Sequence, residues 1–265
     1  MEISNLTIKC NNKEIISNAN LTLYENEIKG LTGPSGSGKT TLLKTIMSLN
    51  DFNSRVIDGK IQVNEIDITK MPFKQIKKYL GTLIGYIPQN PMTSFFRHKT
   101  VEYQLITNLA IRKEISRLQA KKIIVDNISK MNFEDPVRIL KSYPTELSGG
   151  MLQRLAIVNV LAMEAKIILA DEPTSALDYH NKNILLKSLL ELKEKSSILF
   201  VSHDIDTMKK ICDSISIMLN GTIVFDEKKV DLSNKKKLFE DLWIKDFLVE
   251  LNTNNEENWS WKNLL

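Results

Sequence analysis

A glycine-rich stretch at residues 31–41 constrains the fold of this chain more than any other feature. It matches the pattern G-x-x-x-x-G-K-[ST], which forms a loop around the phosphates of a nucleotide. Glycines let the backbone turn so tightly that successive N–H groups point into one concavity, and the N-terminus of a following helix adds positive charge. The residues that we expect around the phosphates form the phosphate loop: Gly33, Pro34, Ser35, Gly36, Ser37, Gly38, Lys39, Thr40 and Thr41.

Two side chains of the phosphate loop have predictable roles. Lys39 should reach the β- and γ-phosphates as a compact charge, from a side chain that we expect to be partly exposed, and the Thr40 hydroxyl should ligate Mg²⁺. Residues 27–32 predict a strand before the loop and residues 40–47 a helix after it, as the motif requires. A dinucleotide-binding fingerprint is excluded, because Thr41 occupies the place of its third small residue.

A pair of carboxylates follows a second apolar strand, predicted at residues 166–170. Asp171 can hold Mg²⁺ directly or through water, and Glu172 can orient and deprotonate an attacking water. On its own, such a pair usually marks a surface turn. The phosphate loop and the surrounding βαβ pattern favour the catalytic interpretation here.

Residues 147–154 predict a second anion site at the start of a helix. Ser148 can contact a phosphate oxygen, and Gly149 and Gly150 expose backbone N–H groups. The alternative is a serine N-cap followed by two glycines. One nucleotide does not need two phosphate sites in one chain, so the second site indicates a γ-phosphate supplied across a dimer interface.

The composition indicates an ordinary globular protein. The chain has 265 residues, of which 42% are hydrophobic and 26% charged, and a net charge of +4 carried by dispersed lysines instead of a nucleic-acid-binding patch. Two cysteines, Cys10 and Cys212, are too few for a disulfide framework and fit a reducing cytosol. We find neither a signal-peptide pattern nor a run of about 18 apolar residues, so we expect a soluble protein that is not secreted, for which any membrane role would require a partner.

The hydrophobic pattern predicts an α/β fold with a helical insertion. A capping box at Ser116 and Gln119 and an N-cap at Asp135 mark helix starts within residues 91–163, and Asn220 precedes Gly221 in a hairpin turn. A helix-spaced apolar stretch follows at residues 238–251, and we expect a mobile end from residue 252. The predicted strands and the crossover helix cover residues 2–8, 20–24, 27–32, 60–64, 83–87, 166–170, 181–195 (the helix), 197–201, 215–219 and 222–225.

Taken together, five motifs in order resemble those of the nucleotide-binding subunit of an ATP-binding-cassette (ABC) transporter. They are the phosphate loop (Walker A), the Q-loop at Gln89, the signature segment (residues 147–154), the Walker B and D-loop at residues 171–178, and the switch histidine at residues 201–204. The resemblance implies an α/β P-loop NTPase fold of the ABC ATPase type, with a mixed sheet core, antiparallel N-terminal strands and an inserted helical subdomain. The implied ATPase domain covers about residues 1–250, with a core at 1–90 and 164–230, a helical subdomain at 91–163 and a tail at 251–265.

The resemblance also assigns roles to individual residues. It implies that Glu172, His203 and Gln89 are catalytic and that Thr40, Gln89 and Asp171 hold Mg²⁺. Beyond the phosphate loop, it implies nucleotide contacts, some of them in a head-to-tail dimer, from Ser148, Gly149, Gly150, Gln153 and Asp178. The position where the family usually stacks an aromatic ring on adenine falls near Cys10, so we expect weaker base contacts or contacts from elsewhere.

Two stretches resemble one branch of the family. Residues 88–94 are similar to the Q-loop of peptide and nickel importer ATPases, and residues 135–154 to nickel and nickel–metallophore importers. The longer peptide-importer relatives carry a C-terminal cysteine cluster, which this sequence lacks, and this favours the nickel branch. The resemblance therefore implies an ATP- and Mg²⁺-dependent ATPase subunit that powers uptake of nickel, a metal chelate or an oligopeptide.

The implied partners are a homologous ATPase subunit, two transmembrane permeases and an extracytoplasmic substrate-binding protein, with no nucleic acid. The implied location is the cytoplasmic face of the cell membrane, as a peripheral subunit. Residues 91–97, with Phe95 and Phe96, are a candidate permease contact, although two core phenylalanines are an equal alternative.

The motifs are also compatible with three rival functions. The first is a peptide importer subunit, and the second is a soluble ABC-type ATPase that acts on ribosomes or DNA. Such soluble proteins usually have tandem cassettes or long coiled-coil insertions, which this sequence lacks. The third is a nucleotide-binding module without catalysis, which would need Glu172 or His203 replaced, and both residues are present.

Overall fold

The computed structural model describes residues 1–50, 53–131, 133–175 and 177–226. The strands are β1 (Glu2–Cys10), β2 (Lys13–Thr22), β3 (Ile28–Thr32), β4 (Ser54–Val63), β5 (Ile66–Asp67), β6 (Ile84–Ile87), β7 (Ile167–Asp171), β8 (Ser197–Val201), β9 (Ser214–Leu219) and β10 (Thr222–Asp226). The helices are α1 (Lys39–Ile46), α2 (Phe73–Ile76), α3 (Val101–Lys113), α4 (Arg117–Lys130), α5 (Pro136–Lys141), α6 (Gly149–Met163), α7 (Tyr179–Lys193) and α8 (Ile205–Ile211), with short 3-10 helices at Pro91–Ser94 and Pro144–Glu146.

Two sheets form the framework, which confirms the predicted fold class. A six-stranded sheet has the order β10-β9-β3-β8-β7-β6, in which every neighbouring pair is parallel except β9 and β10. A four-stranded antiparallel sheet has the order β2-β1-β4-β5. Because parallel strands end at the same edge of a sheet, the segments that follow β3, β6, β7 and β8 meet there. Those segments carry the phosphate loop, the Q-loop, the two carboxylates and the switch histidine.

The six-stranded sheet is buried on both faces. Along β7, Ile168 and Ala170 belong to an apolar cluster shared with α3, α4, α6 and α7, whereas Ile167 and Leu169 belong to a cluster shared with α1 and the antiparallel sheet. Successive side chains of a strand point to opposite faces, so a strand covered on both sides needs an unbroken apolar run. This explains why the sequence of β7 is continuously apolar up to Asp171.

Two helices of the helical insertion start at the predicted residues. Ser116 and Gln119 form the expected capping box at the start of α4, and Asp135 accepts a hydrogen bond from Arg138 N at the start of α5. The buried faces of these helices share one apolar cluster with β7 and β8. The division into a core and a helical subdomain at the stated residue boundaries therefore stays a prediction.

Some predicted element boundaries were wrong. The strand predicted at residues 20–24 is β2, which begins at Lys13, and the strand predicted at residues 60–64 is β4, which begins at Ser54. Register shifts in the β1–β2 pairing and a positive φ at Asn18 disturb the alternation on which the prediction depended. The predicted C-terminal helix and tail lie outside the described residues. Within the described ranges, every helix is too short or too polar to cross a bilayer.

Candidate functional site

The phosphate loop connects the end of β3 to the start of α1. Its backbone turns through glycines with positive φ, 147° at Gly33, 80° at Gly36 and 108° at Gly38. A Cβ atom added at Gly33 would lie 2.0 Å from the carbonyl oxygen of Met218, so only glycine fits there. Helix α1 begins at Lys39 directly after the loop, so its N-terminal N–H groups face the same concavity.

Lys39 is buried, and the expectation of a partly exposed side chain was wrong. Only 6% of the residue is exposed, and Nζ donates hydrogen bonds to Gly33 O and Pro34 O, each at 2.8 Å. Burial lowers the pKa of Lys39, while the nearby carboxylates of Glu172 and Asp171 act in the opposite direction. The ammonium group is thus held inside the loop by the loop's own carbonyl groups, within the electrostatic influence of the two acidic residues.

Asp171 ends β7 beside the phosphate loop. It is 4% exposed, and burial together with the charge of Glu172 raises its pKa. Hydrogen bonds from the hydroxyl groups of Tyr86 and Thr40 counteract this rise in pKa. The Tyr86 hydroxyl lies 3.3 Å from Asp171 Oδ2.

Glu172 lies at the centre of the site and contacts both other predicted catalytic side chains. Its Oε2 accepts a hydrogen bond from Gln89 Nε2 at 3.0 Å, and its Oε1 lies 2.8 Å from His203 Nε2. Its backbone has a φ of 42°, and its N–H donates to Val201 O at 3.0 Å. This turn directly after β7 aims the carboxylate at the other two side chains. The three residues predicted to be catalytic are therefore brought together.

The segment after His203 is tied to α7. Asp204 caps α8 by accepting a hydrogen bond from Thr207 N, and Lys182 Nζ lies 2.5 Å from Asp204 Oδ2. Burial acts to raise the pKa of Asp204, but the hydrogen bonds from Lys182 and Thr207 outweigh it and lower the pKa to about 2. The backbone that carries His203 is thus anchored by a charged pair.

Further predicted nucleotide contacts lie on the surface of α6 and α7. Ser148 and Gly149 are exposed, and the Ser148 side chain accepts a hydrogen bond from Met151 N. Asp178 caps α7, and hydrogen bonds from Asn181 lower its pKa. These residues face solvent in the single chain, where a second subunit can reach them.

Gln153 differs from the rest of the signature segment. It is 2% exposed, and its Nε2 donates to Pro88 O at 3.2 Å. Helix α6 packs against β6 and the 3-10 helix Pro91–Ser94, so this side chain points towards the Q-loop inside the protein. The predicted nucleotide contact of Gln153 is not supported by this placement.

Two side chains near the phosphate loop offer the oxygen ligands that the expected Mg²⁺ would need. Thr40 supplies a hydroxyl and Asp171 a carboxylate, which are hydrogen-bonded to each other, and Mg²⁺ prefers oxygen ligands from one or two carboxylates together with substrate phosphates. Gln89 lies nearby through its contact with Glu172. Cys10, near the position where the family usually has its adenine-stacking aromatic residue, is the last residue of β1 and lies opposite Lys13 and Ser54.

The sequence analysis missed Tyr86 and Lys182. The sequence did offer a sign that Tyr86 belongs to the site, because it is the one residue with a polar side-chain group in the apolar run at residues 83–87. Lys182 had no signal, since a lysine near the start of a helix is ordinary, and its partner Asp204 follows a different strand.

Comparison with known proteins agrees with this geometry. Residues 16–175 match the family described as ABC transporter. The metal-staphylopine import system ATP-binding protein CntD of Staphylococcus aureus is 35% identical over 212 residues, which cover 79% of this chain and 78% of that protein. The dipeptide transport ATP-binding protein DppD of Bacillus subtilis is 31% identical over 229 residues, 85% of this chain and 67% of that protein.

A solved structure shares the fold. The dimeric post-hydrolysis state of the ATP-binding cassette MJ0796, bound to ADP and Pi, has a TM-score of 0.77 and 26% identity, and the match covers 87% of this chain and 99% of that one. The matches to CntD and DppD confirm the resemblance to peptide and metal-chelate importer ATPases. With the phosphate loop, the paired carboxylates and the switch histidine at one sheet edge, the chain belongs to the ABC transporter family as one of its ATP-binding ATPase cassettes.

Proposed function

We propose that this chain is the ATP-hydrolysing subunit of an importer for a metal chelate, nickel or short peptides. The observation that carries the proposal is the Glu172 carboxylate, held between Gln89 and His203 at the sheet edge that also carries Lys39. This arrangement combines a general base, polar groups that orient it and a phosphate-binding cation. These are the parts that phosphoryl transfer to water requires.

Each side chain has a role in that chemistry. The phosphate loop and Lys39 bind the phosphates, and Glu172 orients a water molecule and accepts its proton. Gln89 and His203 hold the Glu172 carboxylate in place, and His203 is the proposed contact of the γ-phosphate. Thr40, Asp171 and Gln89 are the proposed Mg²⁺ ligands, and the ion would neutralise charge on the β- and γ-phosphates.

A second cassette should complete each ATP site. Ser148 and Gly149 are exposed at the start of α6, so their backbone N–H groups can meet a phosphate from another subunit. The dimeric state of the similar MJ0796 cassette supports this arrangement. We propose that the signature segment of this chain closes over the phosphate loop of a homologous ATPase, which is either a second copy or a paralogue.

A lateral groove beside the Q-loop is the proposed contact for the permeases. It is lined by Lys77, Lys78, Tyr86, Phe96, Tyr103 and Arg112, among others. Phe96 is 76% exposed, whereas Phe95 packs against the apolar core. The exposure of Phe96 supports a permease contact for this residue, whereas Phe95 both packs against the core and lines the groove. Because the groove is apolar with several cations, we expect the permease segment to present apolar and acidic side chains.

The transported substrate is inferred from the relatives. CntD belongs to a metal-staphylopine import system and DppD to dipeptide transport, so a metal chelate and a short peptide are both supported. Nickel is our more specific proposal, based on the likeness of residues 135–154 to nickel-importer ATPases. Such a subunit would lie at the cytoplasmic face of the membrane and work with an extracytoplasmic binding protein, and a soluble ATPase unconnected to transport is the alternative.

The substitution Glu172→Gln tests the catalytic assignment. It keeps the shape of the side chain but removes the base, so ATP should bind and remain unhydrolysed, and it should stabilise the closed dimer by mass action. Hydrolysis and ATP-dependent dimerisation would be measured in the complex with its companion ATPase and permeases. Glu191→Gln, an identical change at an exposed residue near the C-terminal end of α7, is the control and should behave like wild type. Wild-type turnover by Glu172→Gln would refute the role of Glu172, and full, substrate-regulated turnover by the isolated chain would refute the transporter assignment.

A further inference from the structure

Tyr86 and Asp171 lie on neighbouring strands and on the same face of the sheet. Tyr86 in β6 is paired with Leu169 in β7, and Asp171 follows Leu169 by two residues. Because alternate residues of a strand share a face, the Tyr86 hydroxyl is carried to the Asp171 carboxylate, where the oxygen atoms are 3.3 Å apart. Leu169 packs in the cluster that contains α1, so this is also the face of Thr40.

The direction of this hydrogen bond is fixed by the protonation of the two groups. A phenol is protonated at neutral pH and an ionised carboxylate has only acceptors, so the Tyr86 hydroxyl donates to Asp171 Oδ2. Asp171 is 4% exposed and has little access to water. A buried carboxylate needs protein donors, and Tyr86 supplies one of them while Thr40 supplies another.

We propose that Tyr86 is a positioning residue, whose hydroxyl holds the Asp171 carboxylate in the orientation in which it meets Thr40 and binds Mg²⁺. This inference rests on the proposed function, because it assumes that Asp171 and Thr40 hold the ion that accompanies ATP. Groups that hydrogen-bond to a metal ligand usually set its orientation, and their loss weakens metal binding although they never touch the metal.

A purely structural role for Tyr86 has a different signature. Its ring packs against the apolar cluster around α1, and it also lines the lateral groove. The substitution Tyr86→Phe keeps the ring and removes only the hydroxyl. If Tyr86 serves packing alone, this variant should therefore bind nucleotide and Mg²⁺ like wild type.

The test compares nucleotide binding with and without the divalent ion in the full-length chain. Binding of ATP in EDTA should be the same for wild type and Tyr86→Phe. The Mg²⁺ concentration that half-saturates the chain–ATP complex should rise about tenfold in the variant. Binding of Mn²⁺ to the same complex, followed by electron paramagnetic resonance, should weaken in parallel. The matched control is Tyr103→Phe, which removes a hydroxyl from a half-exposed tyrosine of the same groove and should change neither quantity.

The outcomes separate this proposal from the proposed function. An unchanged Mg²⁺ requirement in Tyr86→Phe, or an equal loss of ATP binding with and without Mg²⁺, would overturn the positioning role while leaving the ATPase assignment intact. An equal effect of Tyr103→Phe would assign the change to the groove and would also overturn it. If wild type itself bound ATP no better with Mg²⁺ than in EDTA, both proposals would fail.

Discussion

The ion pair between Asp204 and Lys182 offers a quantitative test of how the switch histidine is held. Asp204 does two things, because it caps α8 through Thr207 N and pairs with Lys182 Nζ at 2.5 Å. Asp204→Ala removes both interactions. Asp204→Asn removes the charge but keeps the cap, since asparagine caps helices as well as aspartate. Lys182→Met removes only the pair.

The expected losses of stability follow from the kind of interaction removed and from how exposed the two side chains are. Loss of an N-cap costs about 0.5–2 kcal/mol. The side chains of Lys182 and Asp204 are 24% and 41% exposed, so their pair is solvent-screened and should contribute about 0.2–1 kcal/mol. At about 2–4 °C per kcal/mol for a chain of this size, Asp204→Ala should lower Tm by about 1–12 °C. Asp204→Asn and Lys182→Met should each lower it by only about 0.4–4 °C.

The pH dependence has a definite sign. The folded pKa of Asp204 is about 2, below its ordinary value of 3.8, so its charge stabilises the fold fully above about pH 4. That contribution is lost as the pH falls from the ordinary pKa towards 2. The Tm difference between wild type and Asp204→Asn should therefore shrink as the pH is lowered from about 4 to about 2.

Differential scanning calorimetry and ATPase kinetics together test whether the Asp204–Lys182 pair stabilises the fold and positions His203. The Lys182→Met variant should lower kcat and leave the KM for ATP unchanged, because His203 is displaced relative to Glu172 while the phosphate loop is untouched. A Tm loss for Asp204→Asn as large as that for Asp204→Ala would show that the cap carries no stability, contrary to this reasoning. A pH-independent difference would show that Asp204 is not held as an ion pair.

Two further substitutions test the nucleotide contacts. Lys39→Met should lower ATP affinity at least tenfold, because charge-assisted hydrogen bonds contribute about 1.5–3 kcal/mol each. The methionine keeps the buried aliphatic stem, so the ATP affinity measured by titration should change far more than the Tm of the nucleotide-free chain. Comparable losses of affinity and of Tm would contradict the phosphate-binding role. Ser148→Arg should block hydrolysis at the phosphate loop of the partner subunit and leave ATP binding by this chain intact. It would be measured in the assembled complex against Ser129→Arg, a control on the exposed face of α4, and undiminished turnover would argue against a shared site.

The features that the sequence alone determined depend on interactions between residues that are close together in the chain. The phosphate loop needs glycines at fixed intervals because its backbone has positive φ at those positions. The spacing of the glycines in the sequence is therefore enough to predict the loop. The capping box at Ser116 and the hairpin turn at Asn220 depend on residues at most three positions apart. Such interactions form within one short segment, so the order of residue types is sufficient to predict them.

Only the tertiary structure decided how the site is assembled. The partner of Glu172 in the Q-loop is 83 residues away, and the partner of Asp171 in β6 is 85 residues away. These contacts depend on which strands are neighbours and which face each residue occupies, and neither is encoded in local spacing. The burial of Lys39 and the inward direction of Gln153 likewise result from packing against other elements. The residue types of the site were therefore predictable, whereas the side chains that hold them in place follow from the order of strands in the sheet, because parallel strands bring distant segments together at one edge.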